Sequence, residues 1–404
     1  MNQGLALYGG SPVRAKFLPY GCQILDDGDV QTVVEVLRSD WITTGPKVAE
    51  FEEAFAEYVG ARFGVSFSSG TAALHAAAFA AELGPGDEVI TTPMTFCATA
   101  NSLLYQGARP VFADIYRDTL NLDPEEVGRR ITPRTRAILP VDYAGHPADL
   151  EPIVELAYRY GLVVIEDACH ALGAEYRGKR VGGIGHMTVF SFHPVKHITT
   201  GEGGMVTTND SKLARRLRLF RNHGINGDAR QREAYGHWYY EMVELGYNYR
   251  LTDIGCALGL SQLGRIEGNL TRRRDIAAHY NRAFCELTGV TLPVVREEVR
   301  PAWHLYTIRI RADRLGADRD EIFKALRAEN IGVNVHYIPV HLHPYYRQRF
   351  GYHGGEYPVS ETAYQTLISL PMFHGMSDGD VSSVITAVRK VLEAYAGATE
   401  RVVA

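Results

Sequence analysis

The sequence predicts an α/β chain with a mostly parallel, mixed central sheet and a smaller α/β domain at its C-terminal end. Two observations carry that expectation. Short runs that are apolar throughout, such as DEVITT, RAILPVDY and GLVVIEDA, alternate with helix-spaced stretches, the pattern of strands covered on both faces. Past about residue 265 the rhythm changes to a long polar helix around Asp275 to Leu287, then YTIRI, DEIFKALRAEN, GVNVHYIPV and a closing DVSSVITAVRKVLEAYA helix.

Taken in order, DDGDVQTVVEVLRSD sets helix-spaced apolar residues behind Asp26 and Asp27 as caps, and PKVAEFEEAFAEYVG opens on Pro46 and stops at Gly60. RFGVSF reads as a strand that leads into an Ala-rich helix. DEVITT precedes TFCATANSLLYQG, RPVFADI precedes DPEEVGRRI, and RAILPVDY precedes DLEPIVELAYRYG, each a strand followed by a helix. GLVVIEDA, MTVFSF and GGMVTT complete the sheet. The expected division is a large domain over residues 1–265, carrying an N-terminal arm, and a small domain over 266–404.

Composition narrows the partners. With 404 residues and 46% hydrophobic content the chain can bury a large core, and no stretch is apolar and long enough to span a membrane. A net charge of -5 with interspersed signs gives no basic field for nucleic acid, which leaves small molecules. Cys22, Cys97, Cys169, Cys256 and Cys285 are odd in number and lack CxxC spacing, so they read as buried thiols of a reducing cytosol. The N-terminal stretch MNQGLALYGGSPVRAKFLPYG has no signal-peptide pattern, and a cytoplasmic location is expected.

In open α/β sheets ligands gather at the carboxyl ends of strands, so the polar residues there are candidates for a site. Ser68, Ser69, Gly70 and Thr71 lead from a strand straight into a helix of small residues. Free N–H groups and the helix dipole suit a phosphate there, and an ordinary Ser/Thr cap would look the same. Asp167, after Glu166 at the end of VVIED, either caps a loop or holds a protonated ring nitrogen. Phe96 offers a flat face to a ring or packs as plain core. Lys196, in SFHPVKHITTGEGG, stands where an apolar strand ends and a glycine-rich turn begins; a solvated charge is the ordinary reading of such a lysine. Together the four ends supply an anion cradle, an aromatic face, a carboxylate for a ring N–H and an imine-forming amine, which are what pyridoxal 5′-phosphate (PLP) requires.

SSGTAAL, IEDACHALGA, SFHPVKHITTGEGG and GYNYRLTDIGCALGLSQL, in this order, resemble the DegT/DnrJ/EryC1/StrS family of PLP-dependent nucleotide-sugar aminotransferases over nearly the whole chain. The resemblance implies a PLP-dependent transferase of fold type I, aspartate-aminotransferase-like, acting as a homodimer with shared active sites. It implies Lys196 and Asp167 as the catalytic pair. It also implies Phe96 on the cofactor ring and Ser69, Gly70, Thr71 and Ala72 with Ser191 at its phosphate. His170 stands where many members have Gln, and Asn248 in GYNYR is the residue expected to reach the phosphate from the partner. LPYG, SDWITTGPKV, WYYEM, AWHLYTIRI and IGVNVHYIPVHL resemble the branch that transfers an amino group from L-glutamate to C4 of a UDP-linked 4-keto sugar in pseudaminic acid synthesis. Tyr20, Trp41, Arg250, His304, His336 and Tyr337 are the candidates for holding the UDP-sugar, each with a structural role as its plain alternative.

Other features carry less. His341 and His343 have metal-like spacing, but no carboxylate or cysteine accompanies them in sequence, so no metal is expected. Val181 to Gly185 precedes a strand where a dinucleotide turn would precede a helix, and reads as a loop. The excursion from Asn222 to Leu245 lacks an evident partner in its own sheet, which fits an exchange between subunits. The first alternative is an aminotransferase for another 4-keto or 3-keto nucleotide sugar; a sugar dehydratase, commonly with histidine at the lysine position, and a non-catalytic regulator come behind it, and Lys196 and Asp167 argue against these two.

Overall fold

The computed structural model describes residues 4–226, 236 and 238–403, with side chains described up to residue 396. Nine strands belong to the first half: β1 (Phe63–Phe67), β2 (Glu88–Thr91), β3 (Arg109–Phe112), β4 (Thr135–Leu139), β5 (Val163–Asp167), the short hairpin β6 (Glu175–Tyr176) and β7 (Lys179–Arg180), β8 (Met187–Ser191) and β9 (Gly204–Thr208). Seven of them form one sheet in the order β1-β9-β8-β5-β4-β2-β3. All neighbours from β8 to β3 pair in parallel, and β9 alone runs antiparallel, to both β8 and β1. This is the expected α/β, mostly parallel mixed sheet. Every residue of β2 and β9 is buried, the polar Glu88, Thr91, Thr207 and Thr208 included, as expected of strands covered on both faces.

Local chemistry sets the helices that flank the sheet. α1 (Asp27–Leu37) starts at a capping box in which Asp26 and Asp29 exchange side-chain and backbone bonds. α2 (Pro46–Val59) has proline at its first turn and ends at Gly60, whose φ of 74° a residue with a Cβ adopts at a cost. α3 (Gly70–Ala80) is nearly all small residues and almost all buried, because it lies between the sheet and the helix Ser211–Arg221. Its narrow side chains let the helix N-terminus come close to the strand ends.

In the C-terminal part β10 (Val290–Thr291), β12 (Tyr306–Ile310) and β13 (Leu367–Leu370) make an antiparallel three-stranded sheet, while β11 (Val299–Arg300) returns to pair with β6. Ile276, Tyr280, Ile308, Ile322, Val384 and Val391 build its core, and the N-terminal arm inserts Leu5 and Leu18 into it. The buried Glu329 ties the arm down: it accepts from Ala6 N and Val13 N, both at 2.9 Å, and pairs with Lys390 at 2.8 Å. An arm grouped by sequence with the large domain thus packs on the small one. The cysteines also differ from expectation. All five are free, yet Cys256 alone is buried and Cys285 is exposed, since helix and loop surfaces rather than core host the others.

Candidate active site

One cavity of about 530 Å³ opens at the carboxyl ends of β1, β2, β4, β5 and β8 and is roofed by residues 334–337 and His304 from the C-terminal part. Its floor is the end of β5. Asp167 is buried and has a donor on each oxygen: Thr99 Oγ1 gives to Oδ2 at 2.7 Å and Cys169 N gives to Oδ1 at 3.2 Å. Thr95 Oγ1 lies 2.7 Å from Thr99 Oγ1, so a short hydroxyl chain holds the carboxylate in place. Sequence reasoning missed both threonines, although a spacing of four residues at the start of α4 (Cys97–Tyr105) puts them on one side of the helix entry.

Lys196 reaches the same cavity from the turn after β8. No hydrogen bond or ion pair holds its amine among the described residues. Burial pulls the Lys196 ammonium below its usual range, with the nearby Cys169 and Asp167 opposing. At β1, Ser69 caps α3 by accepting from Ala72 N at 3.1 Å, which leaves the N–H groups of Gly70 and Thr71 at the mouth of the helix. A Cβ on Gly70 would meet Ser191 Cβ at 2.8 Å and Oγ at 3.0 Å, so only glycine allows the two strand ends to approach this closely. Phe96 is the N-cap of α4 and stands more than half exposed at the cavity wall, not in the core.

The roof is a cluster of neutral imidazoles. His170 and His304 rings lie 4.3 Å apart, His197 is 5.6 Å from His304, and His336 faces Tyr20 at 5.3 Å. Burial holds His170, His197 and His304 well below the usual histidine range and takes His336 down to about 4. His170 Nε2 shares a hydrogen bond with Tyr337 Oη at 3.0 Å, and His197 Nε2 donates to Ala302 O at 3.0 Å. Arg273, fully buried, donates to the carbonyls of Trp303, His304 and Met372, and so fixes the loop that carries His304. Around Lys196 the site therefore keeps its positive charge on one amine.

Of the residues singled out by sequence, the fold brings Tyr20, Ser69, Gly70, Thr71, Phe96, Asp167, His170, Ser191, Lys196, His304, His336 and Tyr337 to this cavity. Four stay outside it. Ala72 is buried in α3 with its N–H used by the cap, and Trp41 lies on a partly exposed turn. Arg250 donates to Asn222 Oδ1 at 2.7 Å, and Asn248 is exposed, paired with Asn222 by an antiparallel bridge. The excursion from Asn222 closes partly on itself through an Ile225–Met242 bridge; its residues 227–235 and 237 lie outside the described residues. His341 is not without carboxylates, as sequence had it. Folding brings Glu361 Oε1 to 3.0 Å from His341 Nε2, with Glu356 nearby. Both carboxylates already accept from backbone N–H groups of residues 353–357, which makes the trio a loop clasp. No helix among the described residues is long and apolar enough to cross a membrane.

The model of the DegT/DnrJ/EryC1/StrS aminotransferase family matches residues 23–389. The Bacillus subtilis spore coat polysaccharide biosynthesis protein SpsC is 44% identical over 382 residues, covering 94% of this chain and 98% of its own. Helicobacter pylori PseC, an aminotransferase involved in pseudaminic acid biosynthesis, superposes with a TM-score of 0.88 at 35% identity, over 94% of this chain and all of that one. The PLP-form of a sugar aminotransferase Spr1654 from Streptococcus pneumoniae, itself described as putative, gives a TM-score of 0.86 at 32% identity, over 93% and 99% of the two chains.

Proposed function

The chain belongs to the DegT/DnrJ/EryC1/StrS aminotransferase family, and from that premise we propose a specific reaction. It moves the amino group of L-glutamate to C4 of a UDP-linked 4-keto-6-deoxy-N-acetylhexosamine, UDP-2-acetamido-2,6-dideoxy-β-L-arabino-hex-4-ulose. The product is UDP-4-amino-4,6-dideoxy-N-acetyl-β-L-altrosamine, for pseudaminic acid synthesis. Its cofactor is PLP, which supplies an aldehyde to carry the amino group and a ring to take up the electron pair of the carbon that loses its proton.

The cavity residues fit that group. The Gly70 and Thr71 N–H groups with Ser191 would cradle its phosphate at the N-terminus of α3, Phe96 would offer its face to the ring, and Asp167 would take the ring nitrogen. Lys196 would hold the cofactor and would carry the proton on and off the reacting carbon. Its lowered proton affinity raises the share of free amine that this work needs. His170, steadied by Tyr337, would serve the ring's oxygen substituent as a neutral partner.

The single observation that carries the reading is the unpartnered Lys196 amine facing a fully donor-satisfied Asp167 across one cavity. The 4-keto, L-arabino preference rests on the branch resemblance and on the PseC neighbour. A second copy completes the site. Among the cavity residues Lys196 is the sole Lys or Arg, too little for a nucleoside diphosphate, and the exposed stretch Trp238–Tyr247 with Asn248 beside it is apolar enough to need covering. Arg250, next to Asn248, would then serve the partner's diphosphate. The test offers glutamate-loaded enzyme the 4-keto product of a C5-inverting dehydratase and the non-inverted epimer, and locates the new amine by NMR. Amination at C4 of the inverted ketone is expected. Amination at C3, or use of the non-inverted epimer alone, would overturn the substrate and leave the Lys196 chemistry in place.

A further inference from the structure

Three carboxyl groups crowd the ends of β4 and β5, and only one of them faces the cavity. Asp142 and Glu166 lie on the far side, both with no solvent exposure. Backbone bonds lock them to the site: Asp142 N donates to Asp167 O at 3.1 Å, and Asp167 N donates to Pro140 O at 2.9 Å. One oxygen of each is satisfied, Asp142 Oδ1 by Ala148 N at 2.8 Å and Glu166 Oε2 by Thr188 Oγ1 at 2.8 Å. The other two, Asp142 Oδ2 and Glu166 Oε1, are buried with no donor, and the two side chains stand within hydrogen-bonding reach of each other. Among the described residues no Lys or Arg forms an ion pair with either. The groups acting on Glu166 are Thr188, Asp142 and Asp167, and those acting most on Asp142 are Glu166, the Ala148 N–H and Asp167, with the neutral Cys169 thiol close by.

Two carboxylates cannot both stay ionised side by side in a dry interior, because each loses its hydration and repels the other. A proton held between them removes one charge and gives both orphaned oxygens a partner. Asp167 has no such need, since Thr99 and Cys169 already supply its donors. We infer that Asp142 and Glu166 share one proton between Oδ2 and Oε1, and that this buried pair is a positioning device that holds a single negative charge behind Asp167. The proton neither enters nor leaves the chemical cycle. It sets the charge behind the ring-facing carboxylate, a role that rests on the reading of Asp167 given above. Burial raises both groups in support: Asp142 goes well above the usual carboxylate range and Glu166 up to about 7. When the shared proton leaves at higher pH, a second negative charge appears behind Asp167.

Infrared difference spectroscopy of the protein without cofactor tests the proton directly. At neutral pH the wild type minus Glu166→Gln spectrum should show the C=O stretch of a protonated carboxyl, and that band should fade as pH rises. Asp142→Asn should remove the same band, which keeps the test sound if either variant folds poorly. On the loaded enzyme, Glu166→Gln supplies an amide N–H in place of the proton and should preserve cofactor binding. It should also lose an alkaline change in cofactor absorbance that the wild type shows. Absence of the band in the wild type would overturn the shared proton. A band with cofactor absorbance indifferent to Glu166→Gln at every pH would overturn the link to Asp167, without touching the proposed function.

Discussion

The end of β5 and the stretch from Asn222 to Asn248 are built on opposite terms. At β5 each carboxyl group has at least one oxygen supplied by its own chain: Thr99 and Cys169 for Asp167, Thr188 and Ala148 for the acids behind it. Along the other stretch Trp238, Met242, Leu245 and Tyr247 are exposed, Trp238 at 84%, and Asn248 points at nothing in the cavity. On the proposed reading the contrast separates what one chain would do alone, which is hold and move a proton, from what would need a second copy, which is to close the phosphate and sugar side.

The sharpest way to press that contrast is Lys196→Ala. Amino transfer should fall by at least about a thousandfold, since both anchor and proton carrier are lost, while the melting temperature holds because the amine has no partner to lose. Unchanged activity in a glutamate-to-ketone assay would end the reading of the β5 side. The next largest effect belongs to the other region. Asn248→Ala alone should be inactive. Mixed with Lys196→Ala and allowed to exchange subunits, it should recover about half the activity per heterodimer, because one site then holds both lesions and the other neither. No recovery after proven exchange would place Asn248 in its own chain's site and erase the distinction.

Smaller effects sharpen the β5 side. Thr99→Val leaves Asp167 Oδ2 without its donor and should cost about 1–2 kcal/mol of stability, read by denaturant melts, with weaker cofactor binding. A pH dependence accompanies it. Glu166 binds its proton more tightly in the folded chain, about 7 against an ordinary 4.5, so the folded state holds extra protons between those values. Wild-type stability should therefore decline relative to Glu166→Gln as pH rises from 4.5 to about 7, and then level off. A difference flat across that range would show that Glu166 is ionised throughout.

The sequence displayed the β5 side far better than the other. Strands buried on both faces must be apolar along their length, so the seven-stranded sheet and its polar ends, with Asp167 and Lys196, stood out. Two-residue strands such as β6, β7 and β11 are too short to carry a period. Thr95 and Thr99 were passed over because a threonine at a helix entry looks like a cap. The pair Asp142 and Glu166 was invisible because its partners are distant in sequence. The same distance hid the carboxylates that gather at His341. Trp41, Arg250 and Asn248 lie away from the single-chain cavity, and no sequence pattern separates a residue that serves a neighbouring copy from one that serves none.

Reductive trapping tests the central claim most directly. Borohydride treatment of the PLP-loaded enzyme, followed by peptide mapping, should place the cofactor on the peptide that contains Lys196 and on no other. Cofactor fixed to a different lysine, such as Lys212 at the start of the helix Ser211–Arg221, would contradict the account of how this site works.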